Sequence, residues 1–192
     1  MRIGLYGGSF DPVHCGHLLV AQAAREELDL DRLFFVPASQ SPFKPDRSPA
    51  PDALRLRMLR IALAGRCWCE VDDQELRRGG VSYTIVTARD YGARFPGAEL
   101  CWLIGADHVA TLPKWKAANE LAQLMEFVVI PRPVQGSVDA AEPAGFRLRR
   151  LQGFPFAVSS SGIRARVQAG RPVDWLVPGA VAEVIRNNGL YL

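Results

Sequence analysis

Ile3-Gly4-Leu5-Tyr6-Gly7-Gly8-Ser9-Phe10-Asp11-Pro12-Val13-His14-Cys15-Gly16-His17 is the stretch that decides the fold. Its short apolar run stops at two glycines, and from Gly16 to Leu28 the residues Leu18, Leu19, Ala21, Ala24 and Leu28 return at helical spacing, so the chain opens as strand, loop, helix. The unit then repeats. Leu33 to Val36 is a second apolar run, followed by a loop with prolines at 42, 45, 49 and 51 and a helix over 52–64. Further strands are expected over 67–71, 100–104 and 127–130, with helices over 83–95, around Asp107 and over 116–124. Near-continuous apolar strands joined by helical crossovers require a parallel sheet covered on both faces. The expected class is therefore α/β, a doubly wound Rossmann-like parallel sheet.

After a polar stretch over 134–145, the spacing predicts a strand over 147–151, a helix over 159–168 beginning among serines, and a last helix from Pro178 to Asn187 with Gly189 just beyond its end. No composition break separates this part. Residues 1–192 are read as one domain, with about 146–192 forming a small C-terminal helical cap on the sheet.

Composition narrows the class further. The sequence has 192 residues, 48% hydrophobic and 22% charged, which suits a globule with a sizeable core and excludes disorder, collagen and coiled coil. No apolar run reaches the length of a membrane span, and Met1 leads into a strand without a signal peptide. The expectation is a cytoplasmic protein with no membrane partner. Net charge is +3, too mild to imply nucleic-acid binding. Twenty of the 23 basic residues are Arg, a bias that codon usage produces as readily as phosphate binding does. Cys15, Cys67, Cys69 and Cys101 form no CxxC pair and no zinc spacing, so neither disulfides nor a protein-held metal are expected. Cys67 and Cys69 would share one face of a strand.

The loop after the first strand matches neither GxGxxG nor a Walker A sequence. Gly7 and Gly8 free the backbone for close approach, and a helix beginning near Gly16 turns its unpaired amides and positive dipole end toward the same crevice. His14 and His17, two of only three histidines in the chain, stand at that end. Three apart, they are able to aim ring nitrogens at one anion, although two ordinary helix-start residues would be spelled the same way. Ser159, Ser160 and Ser161 with Arg164 suit a second phosphate-binding helix start; an N-cap with a solvated arginine is the alternative. Asp107, following the fourth strand, lies where a doubly wound sheet binds ligands and fits either a ribose acceptor or a plain N-cap. Trp115, in a loop between Lys114 and Lys116, points to a cleft rather than to the core.

These residues carry a resemblance. GGSFDPVHCGH resembles the GGxFDPxHxGH signature of the nucleotidylyltransferase superfamily, and Val158 to Arg164 resembles its ISSTxIR motif, with Ser161 where Thr is usual. Ser82-Tyr83-Thr84, Gly105-Ala106-Asp107, Trp115 and Arg132-Pro133 occur in the order of the bacterial nicotinate-nucleotide adenylyltransferase family. The resemblance covers essentially the whole chain. It implies transfer of the adenylyl group of ATP to nicotinate mononucleotide, with Mg²⁺ carried on the phosphates. On the same footing, His14, His17, Ser160 and Arg164 would be catalytic. ATP would be met by Gly7, Gly8, Ser9, Phe10, Gly105, Asp107, Ser159, Ser161 and Ile163. Nicotinate mononucleotide would be met by Ser39, Lys44, Thr84, Ile85, Trp115, Lys116 and Arg132, with Trp115 stacked on the ring and backbone amides near Thr84, Ile85 and Lys116 on its carboxylate.

Two rivals remain at this stage: an adenylyltransferase of the same superfamily acting on nicotinamide mononucleotide or phosphopantetheine, and a non-catalytic nucleotide sensor or RNA-binding module. The small molecules are the expected partners, nucleic acid is not, and a homo-oligomer stays open.

Overall fold

The computed structural model describes residues 1–42, 49–131, 142–154 and 156–192. Six strands form one sheet: β1 (Arg2–Gly8), β2 (Arg32–Pro37), β3 (Cys69–Val71), β4 (Glu99–Gly105), β5 (Met125–Ile130) and β6 (Leu148–Arg150), in spatial order β3-β2-β1-β4-β5-β6. Every pairing is parallel. The helices are α1 (Cys15–Leu28), α2 (Asp52–Leu63), α3 (Gln74–Arg78), α4 (Thr84–Arg94), α5 (Ala118–Leu124), α6 (Ser160–Gln168) and α7 (Gly179–Asn187). Strand order reverses between β1 and β4, which leaves their C-terminal ends side by side at a topological switch point.

The period of two along the strands sorts the core into two layers. Leu33, Phe35, Cys101, Leu103 and Val128 face one side, where they pack with Ala24 of α1, Met58 and Leu59 of α2, Ile163 of α6 and Val181 and Ile185 of α7. Phe34, Val36, Trp102, Ile104, Phe127 and Val129 face the other, with Ile85 and Tyr91 of α4 and Leu121 of α5. The doubly wound reading is thus correct, and the C-terminal helices share the first layer.

Several boundaries move. The expected strand over 67–71 keeps only its second half. Cys67 and Trp68 lie in a turn, and Cys67 is exposed while Cys69 is buried, so the two thiols do not share a strand face. Arg25 stacks over the Trp68 ring at 4.6 Å, and the Trp68 carbonyl accepts from the Leu33 amide at 2.9 Å. The segment around Asp107 is a 3₁₀ helix, Ala106–Lys114, with Pro113 inside it. The next helix begins at Ala118 rather than Lys116, because Ala117 adopts the left-handed region at φ 55. Among the described residues no helix is long and apolar enough to cross a membrane.

Candidate active site

The loop from Gly7 to His14 lies at the C-terminal end of β1, beside that of β4. Its glycines have a structural reason beyond ligand approach. A Cβ on Gly7 would stand 2.5 Å from the Trp102 ring, and one on Gly16 would stand 3.0 Å from His14 Nδ1. The first glycine admits a core aromatic beneath the loop. The second admits the His14 ring. Phe10 is 1% exposed and packs edge-on to Tyr6 at 5.5 Å and to His17 at 5.0 Å, so its side chain is not offered to a ligand. Its φ of 45° is unusual for a non-glycine residue.

His14 and His17 cap α1 reciprocally. The His14 amide donates to His17 Nδ1 at 3.1 Å, and the His17 amide donates to His14 Nδ1 at 3.3 Å. The Cys15 amide is taken by the Leu176 carbonyl at 2.9 Å. Two of the helix-start amides expected to face an anion are therefore engaged, which corrects the picture of a bare helix terminus. Burial lowers the His14 pKa to about 4, and burial, then the neighbouring His14, holds that of His17 well below its usual value. Both rings are neutral at pH 7, and since each Nδ1 accepts, each proton resides on Nε2. The rings stack with centroids 3.7 Å apart. The result is a pair of neutral N–H donors fixed by the helix start they cap.

The second phosphate motif is tied to the same loop. Ser159 is the N-cap of α6, accepting from the Gly162 amide at 3.1 Å, and its Oγ lies 3.1 Å from that of Ser161. Ser160 Oγ donates to the Pro12 carbonyl at 2.9 Å, and Arg164 Nη1 donates to the Asp11 carbonyl at 2.6 Å. Both side chains thus staple α6 onto the histidine loop in this state. The Ile163 side chain is buried in the core and its amide donates to the Ser159 carbonyl at 3.0 Å, so the structure offers neither to ATP. Asp11, to which the sequence reading gave no role, is 1% exposed. Its Oδ1 accepts from the Tyr191 hydroxyl at 2.7 Å and from the Ala50 amide at 3.2 Å, and its Oδ2 lies 3.8 Å from Arg164 Nη1.

Gly105 ends β4, and by the register Tyr6–Leu103 it stands level with Gly8. Gly105 occupies the cap position of the 3₁₀ helix, so the plain N-cap reading of Asp107 fails; Asp107 is an exposed residue of the first turn.

On the other side of the crevice, Ser39 and the start of α4 come together. The Ser39 amide donates to Ser82 Oγ at 3.0 Å, and Gln40 pairs with Val81 in a parallel bridge. Beneath them Glu75, 4% exposed, accepts from the Thr87 hydroxyl at 2.5 Å, and burial raises its pKa. Tyr83 caps α4 by backbone only, with no side-chain bond to the first turn, and that turn holds no acidic residue. The Lys116 ammonium lies 4.3 Å from the Tyr83 ring centroid, which brings the Trp115 loop to the start of α4. Trp115 is half-buried, with its indole N–H on Thr111 Oγ1 at 3.2 Å and its ring edge-on to Phe127 at 6.0 Å. Its setting is intermediate between cleft and core. Ile85 is buried in the core, so its side chain is not offered to a ligand. Lys44 and Arg132 lie outside the described residues. The arginines of the β6 edge are engaged: Arg149 with Glu126 at 3.1 Å and Arg150 with Glu142 at 3.6 Å. Among the described residues no group of three or more His, Cys, Asp or Glu is arranged to hold a metal.

The cytidylyltransferase-like family model matches residues 5–166. A relative from Opitutus terrae, named "probable nicotinate-nucleotide adenylyltransferase", is 44% identical over 194 residues, covering 100% of this chain and 98% of its own. One of the same name from Gemmatimonas aurantiaca is 42% identical over 196 residues, covering 100% and 92%. In structure, nicotinic acid mononucleotide adenylyltransferase of Plasmodium falciparum complexed with NaAD superposes with a TM-score of 0.79 at 19% identity, covering 99% of this chain and 97% of that one.

Proposed function

Since the chain belongs to the nicotinate-nucleotide adenylyltransferases of the cytidylyltransferase-like family, we infer that it transfers the adenylyl group of ATP to nicotinate mononucleotide, forming nicotinate adenine dinucleotide and releasing pyrophosphate in NAD biosynthesis. The observation that carries the reading is the fixed pair of imidazole Nε2 donors at the β1–β4 switch point, within a loop that α6 clamps from above.

A phosphate oxygen of the acceptor forms the new bond to the α-phosphorus of ATP, and the bond from that phosphorus to the bridging oxygen of pyrophosphate breaks. The nucleophile is already anionic, so the step needs no general base. What the chain supplies is alignment and stabilisation of charge on the phosphoryl oxygens. Neutral Nε2–H groups suit that task because they are pre-oriented by the capping bonds and keep their protons. Ser160 and Arg164, freed from Pro12 and Asp11 by an entering polyphosphate, would add a hydroxyl and a guanidinium. Asp107 would take a ribose hydroxyl. Across the crevice, the uncapped amides of Thr84 and Ile85 suit the nicotinate carboxylate, with Trp115 against the ring; by the resemblance, Ser39, Lys44 and Arg132 would meet the same substrate. Asp11 is already engaged by Tyr191 and Ala50, so the crevice suits Mg²⁺ escorted by phosphate oxygens rather than held by protein carboxylates. The core layer shared by α1, α2, α6 and α7 supports residues 1–192 as one domain, and we take the enzyme to be cytoplasmic.

Pyrophosphate release with ATP and Mg²⁺, measured on nicotinate mononucleotide, nicotinamide mononucleotide and phosphopantetheine with products identified by mass, tests the reading. A strong preference for the acid mononucleotide is expected. Turnover confined to another acceptor would overturn the acceptor assignment, and no turnover with intact ATP binding would overturn the enzyme.

A further inference from the structure

Arg55 lies on the buried stripe of α2 and is 0% exposed. Its Nε donates to the Ala50 carbonyl at 3.1 Å, its Nη1 to the carbonyls of Ser9 at 2.6 Å and Ala38 at 2.9 Å, and its Nη2 to Asp52 Oδ1 at 2.5 Å. Asp52 alone among these partners is charged, and its side chain is 48% exposed, so most of what neutralises the buried cation is backbone dipole. An apolar side chain would fill such a site with less desolvation cost. What a guanidinium adds is a rigid fork of directed donors, and the fork is aimed at the two segments that border the crevice. Ser9 belongs to the histidine loop. Ala38 follows β2, immediately before Ser39, and its amide donates to the Gly8 carbonyl at 2.8 Å.

The peptide between Ser9 and Phe10 is planar and trans, so its C=O and N–H point in opposite directions. Anchoring Ser9 O on Arg55 turns the Phe10 amide away from α2. That orientation coincides with the left-handed backbone of Phe10, φ 45°, a region uncommon for a non-glycine residue. Packing of the Phe10 ring supplies one hold, and Arg55 supplies the other.

We propose that Arg55 is a positioning residue for adenylyl transfer. It fixes the Ser9–Phe10 peptide so that the Phe10 N–H meets the α-phosphate, and it holds that peptide in register with the Ala38–Ser39 edge from which the acceptor phosphate attacks. The proposal rests on the adenylyl-transfer reading for its second half only.

The test uses Arg55→Ala and Arg55→Lys with two readouts: turnover of ATP with nicotinate mononucleotide, with and without low added guanidinium, and the calorimetric affinity ratio for AMP over adenosine. Loss of alignment lowers kcat about 100-fold in both variants, with a smaller change in KM for the mononucleotide, and the AMP-over-adenosine ratio falls. Free guanidinium restores both in Arg55→Ala, since it refills the cavity with the same donors. Lysine does not substitute, because one ammonium does not reach three carbonyls in the same geometry. Variants that melt earlier yet keep the parent kcat and AMP ratio overturn the proposal, as does guanidinium that restores the unfolding temperature alone. A parent that binds AMP no better than adenosine also overturns it. A parent that favours AMP but does not turn over the mononucleotide defeats the adenylyl-transfer reading instead, and the ratio then still decides the role of Arg55. If Arg55→Ala folds only with guanidinium present, Arg55→Lys carries both measurements.

Discussion

The starts of α1 and α4 face the same crevice and treat an incoming anion in opposite ways. At α1 the first-turn amides of Cys15 and His17 are already occupied, and the imidazoles of His14 and His17 present Nε2–H in their place. At α4 the cap residue Tyr83 offers no side-chain bond and its carbonyl takes the Val86 amide at 3.0 Å, so on the proposed reading the amides of Thr84 and Ile85 serve the ligand. The first arrangement is a set of directed donors that stays fixed while charge moves across a phosphorus. The second, on the proposed reading, is a static cradle for one carboxylate. A transferring group needs the former, and a recognised substituent is served by the latter.

The largest break in this contrast comes from removing a directed donor. His17→Ala should lower turnover by roughly 10²–10³-fold while the unfolding temperature falls only as far as a lost helix cap requires; steady-state rates beside a thermal melt check it, and near-parent turnover would remove the histidines from the mechanism. The depressed histidine pKa sharpens the same point through stability. A group held neutral in the folded state contributes stability that is present above pH 6.5 and lost as pH falls through its folded value. For His14, at about 4 in the fold against 6.5, the loss is on the order of 3 kcal/mol between those limits. Urea unfolding across that window, in the parent and in His14→Ala, should show a shallower slope in the variant.

At α4 the effect should be smaller and confined to the acceptor. Thr84 is the first residue of its helix and Tyr83 before it is extended, φ −95° and ψ 122°, so Thr84→Pro is sterically admissible and deletes one amide donor. Expected is a rise of roughly tenfold in KM for the acid mononucleotide, no change for ATP, and a narrower gap between acid and amide substrates. An equal loss for both acceptors would show that the carboxylate is not held there. Smallest is Trp115→Phe, about three- to tenfold in acceptor KM, measured against an unchanged ATP KM.

The two helix starts also differ in how far a sequence reveals them. His14 and His17 are spelled out, rare and three apart, and the crossover pattern placed them beside β4. An uncapped helix is the absence of a side-chain bond at Tyr83, and no spelling marks an absence. Arg55 was hidden among twenty arginines, yet it had a signal: with Met58, Leu59, Ala62 and Leu63 it completes the buried stripe of α2, where a charged residue is out of place. Asp11 was read as part of a motif without a task because its partner lies 180 residues away. Helix α3, five residues long, is too short for periodicity to register, and the turn at Cys67 and Trp68 alternates in sequence like the strand it precedes.

That partnership between Asp11 and Tyr191 gives the site a schedule. A ribosome makes the loop of β1 180 residues before the tyrosine that helps to fasten it, an interval on the order of ten seconds or longer at ordinary synthesis rates. During that time β1 meets β2 and then β4, so the central strands are joined before the loop above them is secured. Nucleotide binding by an emerging chain should therefore lag behind formation of its sheet, and the polyphosphate pocket gains this fastening only once Tyr191 has been made.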